Sequence, residues 1–179
     1  MGRKARDWTP RGMSPGAVIE GPYRYSLTRR WIAGQGKTVF VMLNPSTADA
    51  MSDDPTIRRC IGFSQRLGHQ ELEVVNLFAW RTPSPDELFR AHGDIVGPLN
   101  DGHILRAARS GNVVVAAWGP AGASRGRAQR VVELLAGVRL YALGWTKEGH
   151  PRHPLYVPGL APLLPFPPPP PVNSTASIA

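Results

Sequence analysis

Polar side chains that could bind or activate a ligand collect at three places in the chain. In the first, residues 44–46, a proline forces Asn44 out of the helical region, so that its amide is presented in a loop to a water or a ligand. In the second, Asn76 ends an otherwise apolar run, and burying its amide without a partner would cost about 1–3 kcal/mol. The third is the loop 149–154, whose polar groups have no regular ladder of hydrogen bonds to satisfy them. Loops of this kind often carry function.

The loop 149–154 places two histidines and an arginine between glycine and proline residues, and Lys147 precedes it. A histidine can donate a hydrogen bond to a developing anion or exchange a proton near neutral pH. Spacing alone does not choose between His150 and His153. A surface turn with incidental histidines is the alternative interpretation.

The two asparagines also have structural interpretations. Asn44 could stabilise an Asn-Pro-Ser-Thr turn, and Asn76 could bond to a neighbouring strand. As a functional residue, Asn76 would suit a flat heterocycle with alternating donors and acceptors, with Phe78 or Trp80 near enough to stack on it. Trp80 and Trp118 could equally belong to the core.

Asp53 and Asp54 precede a proline at the start of a predicted helix. Aspartate is favoured at a helix N-cap, where it complements the helix dipole. A divalent-cation site formed with His150 and His153 is the alternative, but the spacing shows no converging set of ligands. We therefore predict helix capping, with neither a metal nor a cofactor.

Standard catalytic motifs are absent from the sequence. It contains no phosphate-binding loop, no Gly-x-Gly-x-x-Gly, no nucleophile elbow, no paired Cys-x-x-Cys and no His-Glu-x-x-His. These absences argue against P-loop, Rossmann, serine-hydrolase and zinc chemistry in their usual forms. The single cysteine, Cys60, falls inside a predicted helix and is not expected to be a nucleophile.

The charge of the chain points to an anionic partner. Its net charge is +8, from 21 Lys and Arg against 13 Asp and Glu, and 18 of the 21 are arginine, which binds phosphate and stacks on bases. We predict DNA, single- or double-stranded, or a nucleotide as partner, although a bias of the genome towards arginine codons would give a similar composition. The lone cysteine and the lack of an apolar stretch of roughly 20 residues predict a cytoplasmic protein without a membrane partner. The oligomeric state is not predicted.

Short apolar runs alternate with helical patterns along the chain. This alternation predicts an α/β fold, a three-layer α/β/α sandwich with a short, mostly parallel four-stranded sheet. In such sheets ligands bind beyond the carboxyl ends of the strands, which is where the polar segments fall. The predicted strands are Lys37–Leu43, Leu72–Phe78, Val113–Ala117 and Val138–Leu143, and the predicted helices are Pro55–Leu67, Pro85–His92, Asn100–Ala108 and Arg125–Leu135.

Composition divides the chain into three parts. Residues 1–19 carry basic and proline residues with little apolar periodicity, and are predicted to be a flexible basic arm. Residues 164–179 contain five consecutive prolines and are predicted to be a disordered tail. Residues 20–163 are predicted to form a single domain.

Several strings resemble a bacterial family. LNPSTAD, DDPTIRR, VVNLFAWR, GPLND, AAWG and LGWTKEGHPRHPLY, in this order, resemble the domain of unknown function 1643 family over roughly residues 20–160. More distantly, the layout resembles the uracil-DNA glycosylase superfamily: an Asn-Pro loop after the first strand, an asparagine ending the second, a Trp-Gly ending the third, and a late His-Pro loop.

The second resemblance implies roles for individual residues. It implies that Asn44 orients a water, that Asn76 reads the edge of a pyrimidine, and that His153 faces the departing base. The implied catalytic residues are Asn44 and His153. The implied substrate-binding residues are Pro45, Ser46, Asn76, Phe78, Trp118, Gly119, Lys147, His150, Arg152 and Leu155.

The resemblance thus implies a glycosylase that cleaves the N-glycosidic bond of a modified or deaminated nucleobase in DNA or in a nucleotide. A flipped nucleotide would enter the pocket, and Leu155 would fill the gap. The sequence departs from the superfamily pattern at Leu43, where a glycine is usual, and at Ser46, where a glycine or tyrosine is usual. Two alternatives stay open: a non-catalytic nucleotide or nucleic-acid binding module on the same fold, and a different hydrolase or transferase that uses the Asp and His residues.

Overall fold

The apolar runs of the sequence form the centre of one sheet. The computed structural model of the protein describes residues 14–46, 48 and 52–168. Its strands are β1 (Ser14–Glu20), β2 (Tyr23–Arg30), β3 (Lys37–Met42), β4 (Glu71–Asn76), β5 (Val113–Ala116), β6 (Leu140–Ala142) and β7 (Leu164–Phe166). Its helices are α1 (Pro55–Arg66), α2 (Pro85–Arg90), α3 (Asn100–Ser110) and α4 (Arg127–Leu134).

The strands lie in the order β1-β2-β4-β3-β5-β6-β7. Strands β4, β3, β5 and β6 run parallel, while β1, β2 and β7 pair antiparallel at the two edges. Apolar side chains of α1 pack on one face of the sheet, and those of α2, α3 and α4 pack on the other. Each parallel crossover contains a helix because parallel neighbours cannot be joined by a tight turn.

The predicted α/β class is confirmed, but the predicted four-stranded, mostly parallel sheet is wrong, because the sheet that the described residues form has seven strands and is mixed. The hairpin β1-β2 was not predicted. Strand β1 contains proline and glycine, and β2 contains three arginines, so neither shows a clear apolar pattern. Strand β7 escaped because its sequence is Leu-Pro-Phe, and proline is tolerated only at an edge such as this one.

The sheet also extends beyond the domain limits taken from composition. Strand β1 begins at Ser14, inside the predicted arm, and β7 ends at Phe166, inside the predicted tail. The rest of both segments, residues 1–13 and 169–179, lies outside the described residues. In the described part of the chain the longest helix is α1, with 12 residues, and no helix has the length and apolarity needed to cross a membrane.

The two aspartates before α1 have different partners. The Asp54 carboxylate caps α1 by accepting a hydrogen bond from the backbone N–H of Ile57 at 2.8 Å. The Asp53 carboxylate accepts one from Nε of the fully buried Arg29 of β2, also at 2.8 Å. The helix-capping prediction therefore holds for Asp54, whereas Asp53 ties the loop before α1 to the edge hairpin.

A buried polar network satisfies the backbone beyond the end of β4. Asn100, which is 0% exposed, donates from Nδ2 to the carbonyl oxygens of Asn76 and Leu77 at 2.9 and 3.0 Å. Arg127 donates from Nε to the same Leu77 oxygen at 2.7 Å and pairs with Asp101 at 2.5 Å. Carbonyl groups left unpaired in the interior would be costly, so α3 and α4 are fixed to the end of this strand.

We predict that Asn100→Leu lowers the free energy of unfolding by about 1–3 kcal/mol, because it removes the buried donor that serves two carbonyl oxygens. Urea denaturation followed by circular dichroism measures the change. The control is Gln129→Leu, which replaces an exposed amide bonded only to Glu133 on its own helix. An Asn100→Leu protein as stable as the control would show that the network contributes nothing.

Candidate functional site

A pocket of about 550 Å³ opens at the carboxyl ends of β3, β5 and β6. We call it the central pocket. Its position agrees with the rule that ligands of open α/β sheets bind where parallel strands end. The residues that line it are Met42, Leu43, Asn44, Ser46, Thr56, Thr82, Pro83, Pro85, Trp118, Gly119, Pro120, Ala121, Thr146, Arg152, His153 and Tyr156.

Asn44 is held in the wall of the central pocket by Thr82. Its Nδ2 lies 3.1 Å from each of three acceptors: the Thr82 carbonyl, the Thr82 hydroxyl and the Pro45 carbonyl. A carbonyl oxygen only accepts, so the amide nitrogen must face these groups. The oxygen Oδ1 is therefore the Asn44 atom left to accept a hydrogen bond from a ligand or a water.

Thr82 has a positioning role that the sequence did not reveal. Its hydroxyl donates to the Ser84 carbonyl at 2.9 Å, which leaves the oxygen lone pairs for Asn44. Its backbone N–H donates to the Pro45 carbonyl at 3.0 Å, so the loops after β3 and β4 are joined. The only sequence signal was the Thr-Pro-Ser-Pro run, which reads as an ordinary turn.

His153 lines the central pocket, and one of its two ring nitrogens has a defined hydrogen-bond partner. Its Nδ1 accepts a hydrogen bond from the backbone N–H of Leu155 at 3.3 Å. This assigns the neutral ring the tautomer with its proton on Nε2, the nitrogen that no group of the described residues occupies. Burial lowers the pKa of His153 below its ordinary value, and the Asp54 carboxylate opposes that shift. The pocket thus contains a neutral histidine with an N–H to donate.

The loop that carries His153 is attached at both ends. Gly119, just beyond β5, donates its N–H to the Pro151 carbonyl at 3.0 Å. Arg59 of α1 donates from Nε to the Pro154 carbonyl at 3.3 Å and from Nη2 to the Val157 carbonyl. Arg59 was not predicted as part of the site, because its partners are backbone atoms almost a hundred residues away.

Another part of the pocket wall follows β5. Trp118 is 3% exposed and meets Phe166 of β7 edge to face, with ring centroids 5.4 Å apart. Gly119 has φ = +70°, a conformation that a residue with a side chain rarely adopts. The side chain of Arg152 is exposed at the rim, where Nε donates to the Trp145 carbonyl at 3.0 Å. The rest of this guanidinium is free to reach a ligand.

Half of the predicted site residues come together in the central pocket. Those that line it are Asn44, Ser46, Trp118, Gly119, Arg152 and His153. Those that do not are Pro45, Asn76, Phe78, Lys147, His150 and Leu155.

Asn76 lies beneath the pocket rather than in its wall. It is 1% exposed, and its Nδ2 has no hydrogen-bond partner among the described residues. The buried chain continues through Phe78, which packs edge to face on Phe89, and the strand-end segment first reaches the pocket at Thr82. An asparagine at a strand end looks accessible in the sequence, but the strand path continues inside the core for several residues.

Of the other absent residues, Pro45 is buried, and Lys147, His150 and Leu155 belong to a tight turn or to the outer surface. Lys147 is exposed, and the turn around it brings the Thr146 N–H to the His150 carbonyl at 2.9 Å. Leu155 is 43% exposed outside the pocket. Of the two histidines that the sequence could not separate, His153 is the one that lines the pocket.

The charge of the pocket wall is one-sided. Arg152 is its one charged residue, and neither Asp nor Glu is present among the residues that line it. The described residues contain no group of three or more His, Cys, Asp or Glu side chains arranged to hold a metal ion. Cys60 is buried in α1, where burial raises the pKa of its thiol, so it is not a ready nucleophile.

Fold and pocket together define an α/β protein with a pocket, lined by both apolar and polar residues, at the carboxyl edge of a mixed sheet. The sequence model of a family described as "Protein of unknown function (DUF1643)" matches residues 24–155, and the chain belongs to this family. No curated protein and no solved structure matches the chain. The matched range includes every residue that lines the pocket except Tyr156.

We predict that lowering the pH destabilises the protein partly through His153. Its folded-state pKa is lowered, so the unfolded chain binds more protons below about pH 6.5, and the stability present above that pH is lost as the pH falls. His153→Asn keeps an acceptor for the Leu155 N–H but cannot titrate. Urea unfolding at pH 7.5 and 5.5 should show a smaller loss in this variant than in the wild type. An unchanged loss, equal to that of the exposed-site control His92→Asn, would contradict the assignment.

Proposed function

We propose that the protein cleaves the N-glycosidic bond of a modified or deaminated nucleobase in DNA or in a nucleotide, as uracil-DNA glycosylase-like enzymes do. The observation that carries this proposal is the pair of groups in the central pocket: a neutral His153 with an Nε2–H to donate, and Asn44 with Oδ1 to accept. The two groups differ in kind, and each suits one part of the reaction.

His153 suits the departing base. As the glycosidic bond breaks, the sugar becomes cation-like and the base takes the electron pair as an anion. A fixed N–H aimed at a base oxygen stabilises charge that is present only in the transition state, and that stabilisation raises the rate. A neutral histidine can serve as this donor without giving up its proton.

Asn44 suits the attacking water. An amide cannot remove a proton, but Oδ1 can accept a hydrogen bond from a water and hold it beside the sugar. Because Thr82 fixes Nδ2, the orientation of Oδ1 is set before substrate binds. The apolar lining residues, among them Met42 and Trp118, would exclude other waters and enclose a flat base.

The base edge needs a reader other than Asn76, which lies outside the pocket. The remaining hydroxyl groups of the lining belong to Ser46, Thr56, Thr146 and Tyr156, in addition to that of Thr82, which is engaged by Asn44 and Ser84. Hydroxyl groups both donate and accept, so they discriminate weakly between bases. We therefore propose a pocket that accepts more than one altered base.

The missing carboxylate favours a second candidate, a non-catalytic nucleotide or nucleic-acid binding module. With neither Asp nor Glu among the lining residues, the described part of the pocket has no general base for the water. The same pocket would then bind a base without releasing it. A glycosylase would release a free base and a binding module would not, so an experiment can decide between the two candidates.

We predict base release from oligonucleotides that contain uracil, hypoxanthine, xanthine or hydroxymethyluracil, in single- or double-stranded form. Alkali cleaves the abasic sites, and gel electrophoresis measures the products. His153→Ala should slow release about 100-fold to 1000-fold, which is the usual effect of losing one preset donor. Between pH 6.5 and 8.5 the wild-type rate should stay level, because a neutral His153 is the active form.

The exposed-site variant His92→Ala is the control for this assay and should release base at the wild-type rate. Release that is unaffected by Asn44→Ala and His153→Ala would disprove the assignment of these two residues. If no base is released from any of these substrates while the oligonucleotide stays bound, the binding module is the correct reading.

A further inference from the structure

A second concave surface adjoins the central pocket, and we propose that it binds a phosphate group of the substrate through Arg81. We call it the side groove. Its volume is about 360 Å³. The residues that line it are Gly21, Pro22, Ser46, Trp80, Arg81, Thr82 and Pro83. The proposal rests on the proposed function only in taking the occupant of the central pocket to be a nucleobase.

The two cavities are adjacent. Ser46, Thr82 and Pro83 line both of them, so a molecule seated in the central pocket can extend into the side groove over these three residues. A nucleotide has this extended form, since its base and its phosphate are attached at opposite ends of the sugar. The side groove is therefore placed to receive the part of a nucleotide that the central pocket does not hold.

The side chain of Arg81 includes a hydrogen-bond donor without an acceptor. Its Nε is buried and has no hydrogen-bond partner among the described residues. Arg81 as a whole is half-buried, whereas two buried arginines have an ion-pair partner: Arg29 is paired with Asp53 at 2.8 Å and Arg127 with Asp101 at 2.5 Å. A buried donor without a partner costs free energy, and an arginine fork matches the oxygens of a phosphate.

The backbone of Arg81 is held in place by a hydrogen bond and by its neighbours in the chain. Its backbone N–H donates to the Pro22 carbonyl at 3.0 Å, which attaches it to the turn between β1 and β2. Trp80 beside it contacts Tyr23 edge to face, with centroids 5.7 Å apart, and its neighbour Thr82 holds Asn44. None of the residues that line the side groove is acidic. The groove thus offers a cation, an apolar wall and no repelling charge.

Phosphate could reach Arg81 from two sources that share one chemistry: the monoester of a free nucleotide or the diester of a strand. Competition by deoxyuridine, deoxyuridine monophosphate and a uracil-containing trinucleotide against a fluorescein-labelled single-stranded oligonucleotide distinguishes them. Fluorescence anisotropy gives each affinity. The variants are Arg81→Gln, Arg81→Lys and the control Arg130→Gln, which removes the same charge from an exposed position on α4.

We expect Arg81→Gln to weaken phosphate-bearing ligands roughly 10-fold to 100-fold, the size of one lost charge-assisted hydrogen bond, while deoxyuridine binds as to the wild type. Arg81→Lys should restore part of the affinity, because the charge returns without the fork. For the oligonucleotide, the slope of log affinity against log salt should shrink by about 0.7, one phosphate contact. If Arg81→Gln weakens binding of the trinucleotide alone, Arg81 contacts a phosphate of the strand. If it also weakens binding of the monophosphate, Arg81 contacts the phosphate of the bound nucleotide itself.

The proposal is overturned if Arg81→Gln and Arg130→Gln bind all ligands alike with the same salt slope, or if the wild type binds no phosphate-bearing ligand. Thermal unfolding of the variants excludes a general loss of folding. Base release is measured separately. If the wild type releases no base but binds phosphate-bearing ligands through Arg81, the proposed glycosylase activity is disproved and the proposed phosphate subsite is supported. Base release by Arg81→Gln should show a raised KM with an unchanged kcat.

Discussion

The backbone beyond the end of β4 must find hydrogen-bond partners in the interior, and much of the molecule is arranged around that requirement. The N–H groups of Leu77 and Phe78 bond to the Met42 and Leu43 carbonyls at 2.8 and 2.9 Å, so the chain follows the end of β3. On the carbonyl side, Asn100 and the α4 arginine complete the pairing. This buried path leads the chain to the rim of the central pocket, where Thr82 bonds to the loop after β3. That contact forms part of the pocket wall.

The edge hairpin has a comparable influence through charge. Two of its arginines are buried, and both bond to the loop that follows β3: Arg24 to the Ala48 carbonyl, and Arg29 to Asp53 at 2.8 Å and Ser52 at 3.4 Å. Buried guanidinium groups demand acceptors, and a loop rich in carbonyl and carboxylate oxygens supplies them. The loop that presents Asn44 is thereby anchored to β2, which β4 separates from β3 in the sheet. The hairpin therefore supports the site as well as extending the sheet.

Features that depend on local pattern could be read from the sequence, and features that depend on distant partners could not. The central parallel strands and the Asp54 cap follow from apolar runs and from aspartate before a helix. The collection of Asn44 and His153 in one pocket follows from the convergence of strand ends. Arg29 reads as a surface residue until its partner is known, and Thr82 reads as part of a turn. Asn76 was misplaced for the same reason, because nothing local shows that the chain stays buried after the strand.

For the glycosylase reaction proposed above, the pocket chemistry would constrain which leaving groups can depart. The ring of His153 is held in its neutral form by burial and by the Leu155 N–H, because protonating Nδ1 would set two donors against each other. In that reaction, a neutral ring beside an amide, with no carboxylate in the described wall, would give little help to the water and would not supply a full positive charge to the base. The rate of the proposed reaction would then depend mainly on the stability of the departing base anion. Bases made more acidic by deamination or oxidation leave more easily, while ordinary bases stay attached, so in such a pocket discrimination between altered and normal bases would come from the energetics of departure more than from hydrogen-bond readout.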